Sequence, residues 1–402
     1  MLRQAWRGDG RPVPLRNLFG VLAAALISPA LAAQAPVQTP AEAMAQDAAA
    51  YAARHGVTPE DAARRLRAMD DSAALTDELR DRYRTRWAGA SIAHAPFAIQ
   101  IRLTGDAPVR DRVVRLGGMA VPVRFVTGAP ATQDEVVRAI AVHRPTIDRL
   151  VPGHHGLGFD GRTGALVLLA NSAAWARAQD ARPALERLTG VPVAVRPVVS
   201  PEAVDLVSGG DRLVGAIDGR RFVCTAGFSV TDGARTGVTT AAHCPDNISV
   251  GTAPLSFAGG WGVGFQDVQV HVGEAAQPVF YADTARTRLR PVTAAAPREA
   301  LRAGDTVCRR GETAGYSCAE VVFTHFAPPG ALCAGPCDPV WVAVSGPSCA
   351  AGDSGGPVFR GTRAFGIIKG ATTTSGRCDL YYYMSTDYLP APWSLLRGRP
   401  AD

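Results

Sequence analysis

Two patterns of apolar spacing divide the chain. Between residues 40 and 92, Ala, Leu and Met recur at helical intervals among Arg, Asp and Glu, and Thr58-Pro59-Glu60-Asp61 supplies an N-cap, a proline at the first helical position and acids in the first turn. Alternation takes over at 97–103 (FAIQIRL) and again at 121–126 (VPVRFV), predicting two strands. A helix is expected from 133 to about 150, then two apolar arms around a Gly-containing turn between 156 and 169, a helix near 173–189 and a strand over 191–195. This is an α+β order. Beyond residue 204 the helical period disappears, and short strands alternate with Gly, Pro, Asn and Asp turns, as in an all-β sandwich or barrel.

Length and composition add a domain count and remove some partners. A chain of 402 residues with 47% hydrophobic and 19% charged side chains is an ordinary globular sequence with room for two or three domains. The formal net charge of +6 does not mark a nucleic-acid surface, because residues 205–402 hold equal numbers of basic and acidic side chains and no polybasic run occurs upstream. Lys369 is the one lysine in the chain. At the N-terminus, Arg3, Arg7, Arg11 and Arg16 precede an apolar run over 18–32 that ends in Ala30-Leu31-Ala32. Such a run is short for a bilayer span and reads as an export signal over 1–33, so stable membrane insertion is not expected.

The cysteines sharpen the boundary. All eight, Cys224, Cys244, Cys308, Cys318, Cys333, Cys337, Cys349 and Cys378, follow residue 204, which places an α+β segment at 34–203 and an all-β domain at 204–402. An even number in an exported chain reads as disulfides, with the pairings open. No C-x-x-C pair occurs, and His154-His155 without a clustered acid reads as a solvated turn, so no metal is expected.

The chemistry centres on Gly352-Asp353-Ser354-Gly355-Gly356-Pro357. A serine hydroxyl needs a neighbouring base to act as a nucleophile, and the oxyanion it generates needs fixed donors, here the backbone N–H groups of Gly352 and Ser354. The glycines permit close backbone approach, and Asp353 would be a buried carboxylate in need of a partner. His243, in Thr239-Thr240-Ala241-Ala242-His243-Cys244, is the candidate base. Asp267 heads an alternating strand, which suits a carboxylate that orients a histidine; Asp246 and Asp283 are the alternatives.

The order His243, Asp267, Ser354 and the sequences around His243 and Ser354 resemble the chymotrypsin-like serine endopeptidases, and within them the secreted bacterial branch typified by α-lytic protease and the streptogrisins. The resemblance implies two antiparallel β-barrels preceded by an α+β pro-region that assists folding and inhibits its own protease. It also implies the pairs Cys224–Cys244, Cys308–Cys318 and Cys349–Cys378, leaving Cys333 and Cys337 for a small extra loop. Arg309 occupies the position of an internal arginine that neutralises Asp353. Residues 364–370 are expected to form an edge strand for an extended peptide, with Ser348, Ile368, Lys369 and Gly370 at the substrate. Ser348, where trypsin-like enzymes carry an acid, disfavours a preference for Arg or Lys. Lys369 stands where relatives usually carry Ser; it either places a cation near the triad or, as the preferred reading, directs its stem to solvent. Tyr381-Tyr382-Tyr383 either walls the pocket or fills the barrel. The function so implied is a secreted, self-processing serine endopeptidase, extracellular or periplasmic, without cofactor, monomeric after processing and acting on polypeptides. The alternative is an inactive binding protein on the same fold.

Overall fold

Thr39, Thr58 and Thr132 each accept a hydrogen bond from the backbone N–H three residues on, and each starts a helix: α1 (Pro40–His55), α2 (Pro59–Arg82) and α3 (Gln133–Leu150). At Thr39 and Thr132 the third residue is a glutamate that reaches back to the cap N–H, completing a capping box. A fourth helix, α4, spans Ser172–Thr189. This computed structural model describes residues 35–154, 156–170, 172–197, 210–273, 276–328, 330–374 and 377–398, so the export signal expected over 1–33 and the boundary at 203/204 lie outside the described residues.

The helical spacing read over 40–92 stops early. After α2 the chain enters β1 (Trp87–His94), where Gly89 has a φ of +125° that no helix accommodates, and β1 pairs antiparallel with β2 (Phe97–Thr104). The alanines that looked helical are small side chains buried in a sheet. With β3 (Arg112–Leu116) and β4 (Met119–Ala129) the sheet runs β1-β2-β4-β3, and Ile99, Ile101, Val121 and Val123 pack against Tyr51, Leu66 and Met69 of the first two helices. β5 (Gly156–Asp160) and β6 (Ala165–Ala170) form the hairpin, β7 (Val193–Pro197) adds parallel to β6, and α3 and α4 cover them. His154, expected in a solvated turn, is buried: Gly156 N–H donates to its Nδ1, and its Nε2 lies 2.6 Å from Asp148 Oδ1. His155 lies outside the described residues.

The rest is β. The strands are β8 (Arg212–Ile217), β9 (Arg220–Thr225), β10 (Ser229–Thr231), β11 (Thr236–Thr240), β12 (Ser249–Val250), β13 (Ala253–Pro254), β14 (Ser256–Trp261), β15 (Val268–Val272), β16 (Val279–Tyr281) and β17 (Leu289–Pro291). They continue as β18 (Ala294–Ala295), β19 (Thr306–Gly311), β20 (Gly315–Ala327), β21 (Trp341–Ser345), β22 (Pro357–Arg360), β23 (Arg363–Thr374), β24 (Arg377–Ser385) and β25 (Ser394–Leu395). The first lobe comprises the sheets β14-β15-β11-β10-β25 and β13-β12-β8-β9, joined by a core that includes Leu213, Val223, Ala241 and Ile248. The second closes on itself as β19-β22-β23-β24-β21-β20, with β20 pairing back to β19. Tyr381, Tyr382 and Tyr383 alternate between two buried clusters of that lobe, so they are barrel core. Disulfides join Cys224 to Cys244, Cys308 to Cys318, Cys333 to Cys337 and Cys349 to Cys378.

The α+β region is built into the second barrel. β5 pairs antiparallel with β20 through Phe159 and His325, Gly158 and Phe326, and Leu157 and Ala327, so β5, β6 and β7 extend the barrel sheet. From α1, Asp47 is fully buried and takes hydrogen bonds from Arg290, Tyr316 and the Gly361 N–H. From α2, Asp70 pairs with Arg360 at 2.6 Å, while Ser72 and Thr76 accept from Arg302. No helix among the described residues is long and apolar enough to cross a membrane.

Candidate active site

Strand pairing brings the candidate base and its carboxylate together. β11 pairs antiparallel with β15, Thr240 opposite Gln269, so the loop leaving β11 and the residue entering β15 share one end of the sheet. There His243 Nδ1 lies 2.8 Å from Asp267 Oδ2, and the His243 backbone N–H donates to Asp267 Oδ1 at 3.2 Å. The carboxylate is 2% exposed, whereas the His243 side chain is 38% exposed and open to a reactant. Because a carboxylate only accepts, Nδ1 carries the proton and Nε2 is left as the basic nitrogen. Of the alternatives, Asp283 caps its own turn, accepting from Thr287 and Arg288, and Asp246 is exposed.

The loop that carries Ser354 is anchored to the same lobe. Thr225 N–H donates to the Ser354 carbonyl at 2.6 Å, and Thr225 Oγ1 donates to the Gly352 carbonyl, also at 2.6 Å. Its neighbour Cys224 is bonded to Cys244, next to His243. Gly355, at φ +88°, has room for no side chain: a Cβ there would run into the Thr225 carbonyl and the Thr240 hydroxyl on the way into the His243 loop. Thr225 is a site residue that motif reading passed over. Its only sequence signal is adjacency to a cysteine.

The amides around Ser354 are partly bonded and partly open. Asp353 N–H donates to Ala350 O, Gly355 N–H to Ile368 O and Gly356 N–H to Asp353 O, while among the described residues the N–H groups of Gly352 and Ser354 have no protein acceptor. Gly352 adopts φ +115°, a conformation that L side chains rarely reach. Beneath the loop, Arg309 Nη1 meets Asp353 Oδ2 at 2.8 Å with both side chains buried, and Asp353 also accepts from the N–H groups of Thr313, Ala314 and Ala350. Arg309 binds the carbonyl and hydroxyl of Ser348 as well. The Ser348 hydroxyl also donates to Ser317 Oγ at 3.1 Å.

Two further expectations change. Residues 364–367 are interior, because Pro357, Val358 and Phe359 pair with Ile367, Gly366 and Ala364 from one side while β18 and β24 cover the other; Ile368 is tied to Gly355 and Gly356. Among the described residues the open side of β23 therefore begins at Lys369 and Gly370. Lys369 does not reach solvent. Its Nζ lies 3.1 Å from Asp267 Oδ2 and 4.9 Å from the centre of the Trp341 ring, and its side chain is 2% exposed. Burial alone would push the Asp267 carboxyl up, but the charges of His243 and Lys369 outweigh it and hold the group at about 2. Lys369 also offers its backbone carbonyl to the Ser354 hydroxyl, at 3.4 Å.

No family model matches the chain. Streptogrisin-C of Streptomyces griseus is 27% identical over 376 residues, covering 90% of this chain and 76% of that protein. Among solved structures, Thermobifida fusca protease A is 24% identical, covers 49% of this chain and 100% of its own, and superposes with a TM-score of 0.40. Cellulomonas bogoriensis chymotrypsin gives 20%, 48%, 100% and 0.39 for the same quantities. The chain is thus similar to streptogrisin-C through 90% of its own length.

Proposed function

We propose that the chain is a secreted endopeptidase made as a self-processing precursor, with His243, Asp267 and Ser354 as its catalytic triad. His243 Nε2 takes the Ser354 hydroxyl proton as Oγ attacks the scissile carbonyl. Asp267 holds the imidazole in that tautomer and stabilises the imidazolium, which then protonates the leaving amine. Water enters through the same base and releases the acyl group. The amides of Gly352 and Ser354 bind the oxyanion, and the Arg309–Asp353 pair keeps them aimed without any newly freed terminus. An extended polypeptide would add along the open side of β23 from Lys369. The observation that carries this reading is the buried Asp267 carboxylate with both oxygens committed to His243, beside a serine loop whose two oxyanion amides are left without acceptors.

Residues 34–203 act as the pro-region in this proposal. Barrels dominated by long-range strand pairing must close long loops before their contacts stabilise anything, which makes folding slow. A covalently attached sheet that pairs with β20 offers that lobe a template, and the similarity to streptogrisin-C extends into this region as well. Export through residues 1–33 would deliver the eight cysteines to an oxidising compartment. The direct test is a fluorophosphonate probe on the secreted product, with peptide mapping. Label on Ser354, abolished by Ser354→Ala and reduced on the order of a thousandfold by His243→Ala, is expected. A folded, disulfide-bonded product that takes no label would overturn the proposal in favour of an inactive binding protein.

A further inference from the structure

We infer that Lys369 is a positioning residue of the triad that lowers the pH at which His243 becomes a free base; the inference rests on the proteolytic reading above. The chain contains a single lysine, and every other strong base is an arginine. That one ammonium is buried, 3.1 Å from the Asp267 oxygen that also receives the His243 Nδ1–H at 2.8 Å. One carboxylate oxygen thus serves two cations when the imidazole is protonated.

The charge count decides the consequence. With Asp267 ionised and Lys369 charged, the buried group is neutral while His243 is neutral, and carries one net positive charge when His243 is protonated. Without the lysine it would pass from one negative charge to none. An ammonium within a few ångströms disfavours a second cation, and an opposite or like charge at that range moves a pKa by about 1–3 units. His243 therefore sheds its proton at lower pH than an imidazole facing an unshared carboxylate. Among the described residues, the other titratable group facing Asp267 is the phenol of Tyr382 on β24, which burial and the Asp267 charge keep neutral. The remaining wall is apolar or fixed: Trp341 lies against the ammonium with its Nε1–H on the Gly264 carbonyl, and the Met384 sulfur accepts from Asp267 N–H.

A compact ammonium suits this slot. A guanidinium would need a planar fork of acceptors, whereas the structure supplies one carboxylate oxygen and one ring face.

The test is the pH dependence of kcat/KM for the product secreted from the full-length chain, wild type against Lys369→Met, on a chromogenic peptide. The acid limb is expected to lie about 1–2 units higher in Lys369→Met than in wild type. A purely structural role would lower the plateau and leave the limb in place. In parallel, imidazole signals of full-length protein carrying Ser354→Ala are titrated by NMR with and without Lys369→Met, His243 being assigned by its loss in His243→Gln. This readout needs no turnover, so it decides the inference even if no product hydrolyses peptide or takes the serine probe, a result that would sink the proteolytic reading alone. Should Lys369→Met fail to accumulate, Lys369→Gln takes its place. A His243 midpoint unmoved by the substitution overturns the inference.

Discussion

Arg309 and Asp353 form an ion pair of 2.8 Å with side chains 0% and 3% exposed, directly under the loop that carries Ser354. Two charges taken that far out of water stabilise little in total, but removing one strands the other. Arg309→Met is therefore expected to cost about 3 kcal/mol or more and to disorder the Gly352 and Ser354 amides. Urea unfolding measures the first effect and the rate of serine-probe labelling the second. Adding Asp353→Asn to Arg309→Met should recover part of the stability and little of the labelling, because the acceptor for the Ala350, Thr313 and Ala314 amides is then weakened.

Gly355 lies where two lobes touch. Its φ of +88° and the Thr225 carbonyl and Thr240 hydroxyl that a Cβ would meet leave the chain no room to adapt locally. Gly355→Ala should shift Ser354 relative to His243, and a displacement of about 1 Å at a reacting atom costs on the order of a hundredfold in kcat. The secreted variant assayed on a small ester should show that loss with its disulfides intact.

The contact between the α+β region and the second barrel carries its own pH dependence. Burial, and the neighbouring His94 charge, lower His55 to about 4; burial lowers His94 as well; burial lowers His325 to about 3. All three lie at that contact: His55 and His94 face Glu320, and His325 pairs with Phe159. An unfolded chain takes up these protons near 6.5 while the folded one refuses them, so the stability they contribute is full above about 6.5 and falls as pH drops toward about 4. Thermal unfolding of Ser354→Ala precursor from pH 7 to 4.5 should show a falling midpoint, and His55→Gln with His94→Gln should flatten the slope.

Much of this was legible in the residues, for reasons that differ by element. The cap at Thr58, with Pro59 and the acids after it, placed the start of α2 because it is a local device that needs no tertiary help. β1 was misread because alanine favours helix in isolation, and only pairing with β2 and the left-handed Gly89 overrule it. His243 and Ser354 lie in motifs, whereas Thr225 acts through its N–H and hydroxyl on two backbone carbonyls, and contacts to backbone have no sequence signature. Lys369 was misplaced because a long charged stem ordinarily seeks water. What holds it inside is Asp267, 102 positions away along the chain.

The most direct test of the self-processing precursor is the intact mass of the product secreted from wild type and from Ser354→Ala, expressed side by side in a host poor in other proteases. Autoprocessing predicts a wild-type fragment of roughly half the precursor length beginning near Glu202, and a Ser354→Ala chain that keeps its α+β region. Wild-type protein that remains full length while folded and disulfide-bonded would contradict it.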